Sequence, residues 1–118
     1  MKIQISSEDY LKGIFVLENR QGNVRSVDLA RYQRVSKASV SNAVSALKKK
    51  DLLTMDENFY LHLTKKGRDI AEKMYERYVF FKTQLIKIGV NEDIACEDAC
   101  KLEHVISEQS FEKIKNNH

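Results

Sequence analysis

Residues 26–50 read SVDLARYQRVSKASVSNAVSALKKK. Ser26 is the predicted cap of a short helix from Val27 to about Gln33, and residues 34–36 form a tight connection. A second helix is predicted from about Lys37 to Lys50, because apolar residues recur there at helical spacing. Its buried stripe comprises Val40, Ala43, Val44 and Leu47. The stretch therefore predicts two helices joined by a short turn.

The opposite face of the second helix carries no long apolar side chain. It presents Lys37, Ser41, Asn42 and Ser45. A helix with such a face can lie deep in a DNA major groove, where Asn42 would pair with an adenine edge. The pattern is typical of a DNA-binding helix-turn-helix. An ordinary helical hairpin with a solvated polar face has the same pattern.

Charge favours the DNA-binding interpretation. The net charge is only +3, but residues 25–50 carry seven basic residues against the single acidic Asp28. Phosphate contacts by such residues dominate affinity for DNA. The predicted DNA-contacting residues are Arg25, Ser36, Lys37, Ala38, Ser39, Ser41, Asn42, Ser45 and Lys48.

Two short runs follow the second helix. They cover residues 51–55 and 59–63, and the polar residues Asp56, Glu57 and Asn58 lie between them. This pattern predicts a β-hairpin with a three-residue turn. Directly after a recognition helix, such a hairpin is interpreted as a wing. His62, in its second strand, is predicted to be a surface or phosphate-contacting residue.

Four further helices are predicted outside these elements. Ser6 or Ser7 is the predicted cap of a first helix that runs to about Asn19. Thr64 caps a long helix to about Ile88 whose apolar residues lie on more than one side, which indicates a dimer interface. Its main stripe comprises Ile70, Met74, Phe81, Leu85 and Ile88. Gly89 ends this helix, Asn91 caps another that runs to about Ile106, and a last short helix starts at residues 107–110.

The helix after Asn91 carries a candidate metal-binding motif. Cys100, Glu103 and His104 stand at positions i, i+3 and i+4, so their side chains share one helix face. A thiolate, a carboxylate and an imidazole together suit a first-row transition metal. Residues 92–112 also carry seven acidic residues against Lys101 alone. The alternative is a partly buried helix with a core cysteine and a surface Glu–His pair.

Bulk composition limits the class of protein. The chain has 118 residues, 42% hydrophobic and 31% charged, which predicts a soluble globular domain or a small domain with a helical appendage. No proline and only four glycines favour helices joined by short turns. No apolar run approaches the roughly 20 residues of a membrane span, and Met1–Gln4 lack the hydrophobic core of a signal peptide. We therefore expect a cytoplasmic protein whose two cysteines are thiols or ligands.

These elements, in this order, resemble the metal-dependent repressors typified by the diphtheria toxin repressor and the manganese transport regulator. The resemblance covers nearly the whole chain. Its most specific segments are Ser39-Val40-Ser41 with Val44 and Leu47, Leu63-Thr64-Lys65-Lys66-Gly67, and Ala99–Ser107 with its Cys-x-x-Glu-His-x-x-Ser pattern.

The resemblance implies a mainly α fold. Residues 1–70 would form a winged helix-turn-helix domain, and residues 71–118 a helical metal-binding and dimerisation domain without the family's SH3-like domain. The implied function is a transcriptional repressor of metal-ion uptake, not an enzyme, that binds a palindromic double-stranded DNA operator as a homodimer. Fe(II) or Mn(II) would act as corepressor.

The resemblance also implies the metal ligands. They would be Asp9, Cys100, Glu103 and His104, with Cys96 as a weaker extra or substitute ligand. The family's second-site positions hold Lys12, Tyr78, Lys82 and Cys96 here, so we expect one metal ion per protomer. Zn(II) would bind an isolated site more tightly than Mn(II) or Fe(II).

Metal binding to Asp9 and to the 100–104 segment would restrict the position of the two winged helices and select a state that fits DNA. One alternative is a winged-helix transcription factor that is metal-independent, or redox-responsive through Cys96 and Cys100. A module for protein contacts alone is disfavoured by the basic stretch. An enzyme is disfavoured because the sequence shows no nucleophile–base pairing and no glycine-rich phosphate loop.

Overall fold

The computed structural model describes residues 6–117. Its elements in chain order are α1 (Ser7–Gln21), α2 (Ser26–Gln33), α3 (Lys37–Lys49), β1 (Leu53–Met55), β2 (Leu61–Leu63), α4 (Lys65–Lys87), α5 (Glu92–Val105) and α6 (Glu108–Asn116). The predicted mainly α fold is confirmed. Met1–Gln4, on which the signal-peptide prediction rests, lie outside the described residues.

The chain divides into two compact units, Met1–Glu72 and Lys73–His118, and the division falls within α4. The first unit holds α1–α3 and the hairpin, and the second holds α5 and α6. None of the helices in the 6–117 range is long and apolar enough to span a bilayer.

The core of the first unit is built from helix stripes and the hairpin. Val40, Val44 and Leu47 of α3 are buried, as the periodicity predicts, and Ala43 packs against them at the edge. They join Leu11 and Ile14 of α1 in one cluster. Fixing one face of α3 in this core leaves the opposite face exposed.

The turn between α2 and α3 depends on one left-handed residue. Arg34 has φ 57°, and its backbone N–H donates to the carbonyls of Ala30 and Arg31. The Ser36 hydroxyl then accepts from the Ser39 N–H at 3.1 Å and starts α3. The predicted Ser26 cap of α2 is wrong. Arg25 is the N-cap because the Asp28 carboxylate reaches back and accepts its N–H at 2.9 Å.

The wing is an antiparallel hairpin in which Leu53 pairs with Leu63 and Met55 with Leu61. The predicted three-residue turn is wrong, because the strands are separated by residues 56–60. Asp56 Oδ1 accepts the N–H groups of Asn58 at 2.8 Å and Tyr60 at 3.0 Å, which folds the chain locally instead of extending it. Phe59 accordingly has φ 65° and is 69% exposed.

The wing is joined tightly to the start of α4. Thr64 acts as the predicted cap: its hydroxyl accepts the Gly67 N–H at 3.1 Å and donates to the Asp51 carbonyl at 2.8 Å. The Thr64 N–H donates to the Leu52 carbonyl at 3.2 Å. A Cβ on Gly67 would lie 2.0 Å from that same carbonyl oxygen. Only glycine therefore allows the hairpin to approach α4 this closely.

The second unit packs around aromatic rings. Phe111 of α6 is 2% exposed, and its ring centroid lies 5.5 Å from that of Phe80 and 5.9 Å from that of Phe81. Ala95 and Ala99 are the fully buried small residues of α5. Ile88, predicted as part of the apolar stripe of α4, is 78% exposed. Ile88 lies just beyond this helix, because α4 ends at Lys87 and Gly89, at φ 100°, turns the chain.

Replacing Gly67 by Ala should destabilise the protein by about 1–3 kcal/mol or more, because the added methyl meets a backbone carbonyl that cannot move alone. Urea unfolding of the two proteins measures the difference. Gly13→Ala is the comparison variant, since its added Cβ meets side-chain atoms instead of backbone: the nearest is Gln33 Nε2, which can move at the cost of its hydrogen bond to the Asp9 carbonyl. A Gly67 variant no less stable than the Gly13 variant would contradict the close approach.

Candidate DNA-binding surface and metal centre

The exposed face of α3 carries the predicted DNA contacts. Arg25, Ser36, Lys37, Ala38, Ser39, Ser41, Asn42, Ser45 and Lys48 are all exposed. The buried Val40, Val44 and Leu47 face the core. Side chains that can read base edges therefore lie on the side of the helix that a groove can reach.

The N-terminus of α3 suits a phosphate. Its first turn contains no acidic residue and includes the exposed Lys37. Backbone N–H groups at a helix N-terminus attract anions. Ser36 and Ser39 also have a structural role, since their hydroxyl oxygens lie 3.0 Å apart and Ser36 caps the helix.

Arg25 is held by the wing. Its guanidinium carbon lies 4.8 Å from the centre of the Tyr60 ring, and its Nη2 lies 3.4 Å from the Tyr60 hydroxyl. The two residues also form an isolated antiparallel bridge. Sequence reasoning missed Tyr60, which it placed in a strand, because the pair is separated by 35 residues and has no local signal.

His62 and Asp56 form a polar pair on the surface of the wing. His62 Nε2 and Asp56 Oδ2 are 2.7 Å apart. The hydrogen bond from His62, followed by the backbone N–H groups of Tyr60 and Asn58, lowers the pKa of the Asp56 carboxyl. The imidazole therefore favours the ionised form of the residue that folds the wing turn.

The second unit holds the candidate metal-binding helix. Glu103 of α5 is fully buried, and the side chain of the adjacent His104 is 22% exposed. His104 Nε2 lies 3.4 Å from Glu103 Oε1. Cys96 and Cys100, on the same helix, are half-buried thiols. A buried carboxylate, an imidazole and thiols within this helix make a donor set that fits a divalent first-row metal ion.

Arg77 of α4 contacts the end of that helix. Its Nη1 donates to the carbonyl oxygens of Glu103 at 3.2 Å and Ile106 at 2.7 Å. Sequence reasoning missed this residue as well, because nothing near it in the sequence indicates a partner 26 to 29 residues away.

Asp9 lies in the first turn of α1, in the first unit. Its Oδ2 accepts from the N–H and the hydroxyl of Ser6, both at 3.2 Å, and its own N–H donates to the Ser6 hydroxyl. This capping box gives Asp9 the helix-stabilising role that its position predicts. Capping does not exclude ligation, because a carboxylate has two oxygens that accept or coordinate.

Comparison with known families covers almost the whole chain. Residues 2–63 match the iron dependent repressor N-terminal DNA binding domain, and residues 64–117 match the iron dependent repressor metal binding and dimerisation domain. The chain belongs to the iron-dependent repressor family. Members of this family are DNA-binding transcriptional regulators with a metal-binding domain, not enzymes, which confirms the predicted class of protein.

Individual relatives are also transcriptional regulators, which is consistent with membership of this family. A helix-turn-helix transcriptional regulator of Methanocaldococcus jannaschii is 31% identical over 93% of this chain and 90% of its own length. The regulator MntR of Geobacillus thermodenitrificans is 32% identical over 92% of this chain and 77% of its own length.

Solved structures share the fold. The manganese regulator SloR has a TM-score of 0.83 and 30% identity over 97% of this chain, which spans 55% of the SloR chain. A manganese-dependent transcriptional repressor in complex with manganese has a TM-score of 0.83 and 28% identity, with 95% of this chain and 52% of that chain covered. The chain thus spans about half the length of these solved structures.

Arg25→Ala should weaken DNA binding uniformly across sequences and reduce the slope of log affinity against log salt by about 0.9 for the lost phosphate contact. Tyr60→Ala should weaken binding but keep the slope, since Arg25 keeps its charge and loses only its ring support. Fluorescence anisotropy with labelled duplex DNA at several salt concentrations measures both quantities.

Lys113→Ala is the control for this experiment, because Lys113 is an exposed lysine on α6. Tyr60→Phe, which keeps the ring, should bind DNA nearly as wild type does. An unchanged salt slope in the Arg25 variant would mean that this arginine does not contact phosphate.

His62→Ala should raise the pKa of Asp56 towards its ordinary value, because the largest cause of the lowered pKa is removed. In the wild type the ionised Asp56 stabilises the wing at a pH above its unfolded-state pKa of about 3.9. This contribution is lost as the pH falls through the lower folded-state pKa. NMR titration of the Asp56 side-chain carboxyl carbon measures the shift, and identical curves for both proteins would refute the link to His62.

Proposed function

We propose that this protein is a metal-dependent transcriptional repressor that controls metal-ion uptake or homeostasis, with Fe(II) or Mn(II) as its corepressor, in the cytoplasm. The observation that carries the proposal is the buried Glu103 beside the imidazole of His104, within a domain of a metal-binding family. Taking a carboxylate out of water requires positive charge or hydrogen-bond donors around it. A divalent cation supplies that charge when it is bound.

The proposed ligands are Asp9, Cys100, Glu103 and His104, with Cys96 as an additional or substitute ligand. Glu103 provides a carboxylate oxygen that water does not reach, and His104 provides a ring nitrogen beside it. Cys100 provides a thiolate from one turn earlier on α5. Asp9 adds a second carboxylate from the first turn of α1, and its capping bond with Ser6 restricts its rotamer.

The metal identity follows from the donors and from availability. Cys100 favours softer, later metals, and an isolated site of this composition would bind Zn(II) more tightly than Mn(II) or Fe(II). The named relatives MntR and SloR are a transcriptional regulator and a manganese regulator, respectively. We therefore propose Fe(II) or Mn(II) as the physiological ion, selected by its concentration in the cell, with one ion per protomer. The sequence supports that stoichiometry, because Lys12 stands where the manganese regulators carry a carboxylate ligand of the second metal, and an ammonium group at that position disfavours a second cation.

The proposed DNA complex is a homodimer on a palindromic operator. Residues 1–70 provide the DNA-binding domain, in which α3 enters the major groove with Asn42 and Ser45 towards the base edges. Residues 71–118 provide the metal-binding and dimerisation domain. Exposed apolar side chains at Val79 and Ile94 offer surface for pairing two protomers. Two winged helices presented by one dimer would read two half-sites.

The test of the proposed function is a DNA mobility shift of anaerobic protein on DNA from its own promoter region. Fe(II), Mn(II), Zn(II) and a chelator are compared for the wild type and for His104→Ala. We expect Fe(II) or Mn(II) to strengthen binding and the chelator or the His104 variant to abolish that stimulation. Stimulation that persists in the His104 variant contradicts the metal centre. Stimulation by an oxidant instead of a metal would indicate redox control through Cys96 and Cys100.

Asp9→Asn separates the helix-capping role of this residue from its proposed role as a metal ligand. The amide keeps an oxygen that accepts from Ser6, so α1 should remain stable, but it removes the negative charge that binds a cation. We expect a loss of Mn(II) affinity greater than the roughly 10–100-fold typical of residues behind the ligands. Isothermal titration calorimetry with Mn(II) measures it.

Ser6→Ala is the matched control for Asp9→Asn. It removes the hydroxyl cap, with an expected loss of about 0.5–2 kcal/mol of stability, but keeps the negative charge of Asp9, so Mn(II) affinity should fall much less than in Asp9→Asn. Equal Mn(II) affinities for wild type and Asp9→Asn would exclude Asp9 as a ligand.

A further inference from the structure

We propose that Arg77 is a positioning residue for the metal centre: it fixes the backbone of the α5 turn that carries Glu103 and His104. The proposal rests on the metal-binding function proposed above. It concerns a residue on α4 that is not one of the proposed ligands. Arg77 would act through the carbonyl groups of α5, which belong to the same compact unit.

The contacts of Arg77 close the end of α5. The last carbonyls of a helix have no partner within the helix, and they form its negative end. Arg77 Nη1 donates to two of them, the carbonyls of Glu103 at 3.2 Å and Ile106 at 2.7 Å. Ile106 is the C-cap and has left the helix, with φ −101° and ψ 138°. One guanidinium nitrogen therefore ties the point where the helix stops to the residue that carries the buried carboxylate.

A ring of α6 holds the guanidinium itself. The Arg77 Cζ lies 5.5 Å from the centre of the Phe111 ring. Phe111 is 2% exposed and packs edge-on against Phe80, so the ring cannot move aside easily. A planar guanidinium can face a ring and donate in its own plane at the same time, whereas the ammonium of lysine is a point charge. Arginine is therefore suited to this position.

These contacts bear directly on the candidate ligands. The hydrogen bond from Arg77 to the Glu103 carbonyl fixes the backbone of Glu103. The backbone of His104 lies between Glu103 and Ile106, the other residue whose carbonyl accepts from Arg77. The imidazole nitrogen and the Glu103 carboxylate oxygen are 3.4 Å apart. Because both side chains project from this turn, a change in its backbone dihedral angles changes the separation of the two donors. Metal affinity depends on such orientation, and residues that orient ligands typically contribute 10–100-fold to it.

Lys115 provides a matched control within the same unit. Its ammonium lies 5.4 Å from the centre of the Phe111 ring, similar to the distance of Arg77. Its hydrogen bonds go to Glu76 and Glu112, on α4 and α6, and not to the carbonyls of α5. Removing Lys115 therefore removes one positive charge beside the same ring, as removing Arg77 does. It keeps the hydrogen bonds from Arg77 to the carbonyls at the end of α5.

The experiment compares Arg77→Met, Arg77→Lys and Lys115→Met with the wild type in the full chain. Isothermal titration calorimetry with Mn(II) gives the Kd and the stoichiometry. We expect Arg77→Met to raise the Kd roughly 10–100-fold with unchanged stoichiometry, and Arg77→Lys to raise it less. Lys115→Met should leave the Kd unchanged.

A second measurement needs no metal. Hydrogen exchange of the apo-proteins should show faster amide exchange in the last turn of α5 for Arg77→Met and, to a smaller extent, for Arg77→Lys, but not for Lys115→Met. Wild-type affinity and exchange in both Arg77 variants would overturn the proposal. So would equal losses of affinity in Arg77→Met and Lys115→Met, which would assign the effect to the Phe111 ring. A folded wild type that binds no Mn(II) would instead refute the proposed function. If Arg77→Met does not fold, the same two measurements on Arg77→Lys test the proposal, since this variant keeps the positive charge.

Discussion

The anchoring of α3 in the core of the first unit is the constraint on which the proposed DNA surface depends. Val40, Val44 and Leu47 bury one stripe of the helix, and burial of each large apolar side chain contributes about 1.5–3 kcal/mol. Rotating α3 about its axis would expose that stripe, so the polar face keeps one orientation. Because that face carries short side chains such as Ser41 and Asn42, the helix backbone can approach base edges closely. The core contacts and the proposed DNA surface thus lie on opposite sides of the same helix.

In the second unit, α5 likewise combines a packed face with the proposed metal centre. Ala95, Ala99 and Glu103 of α5 are all fully buried, so the Glu103 carboxylate lies out of water. A buried carboxylate is stabilised by charges or donors around it, and in the proposed metal centre a bound cation adds to them. The bonds from Arg77 to the end of α5 hold the backbone in that position. The packing of the second unit and the proposed metal centre therefore share one helix.

Sequence periodicity predicted α3 well, because its apolar residues repeat at helical spacing and its cap is local. Periodicity failed to predict a turn and a helix start that are set by hydrogen bonds from backbone N–H groups to side-chain carboxylates. The wing turn is longer than predicted because the Asp56 carboxylate binds the N–H groups of Asn58 and Tyr60. The start of α2 was misplaced because Asp28 caps Arg25 from three residues away. Both acceptors were visible in the sequence, but the choice among competing caps depends on packing.

The sequence by itself determined the family, the order of elements and the residue types of the candidate metal centre. These are local patterns, such as Cys-x-x-Glu-His on one helix face, and they can be recognised without knowledge of the fold. The tertiary structure alone decided which residues support the proposed sites. Tyr60 meets Arg25 across 35 residues and Arg77 meets Ile106 across 29. Gly67 is required only because the Leu52 carbonyl packs against it. Contacts between distant segments leave no periodic trace, since they depend on how the helices and the hairpin pack together.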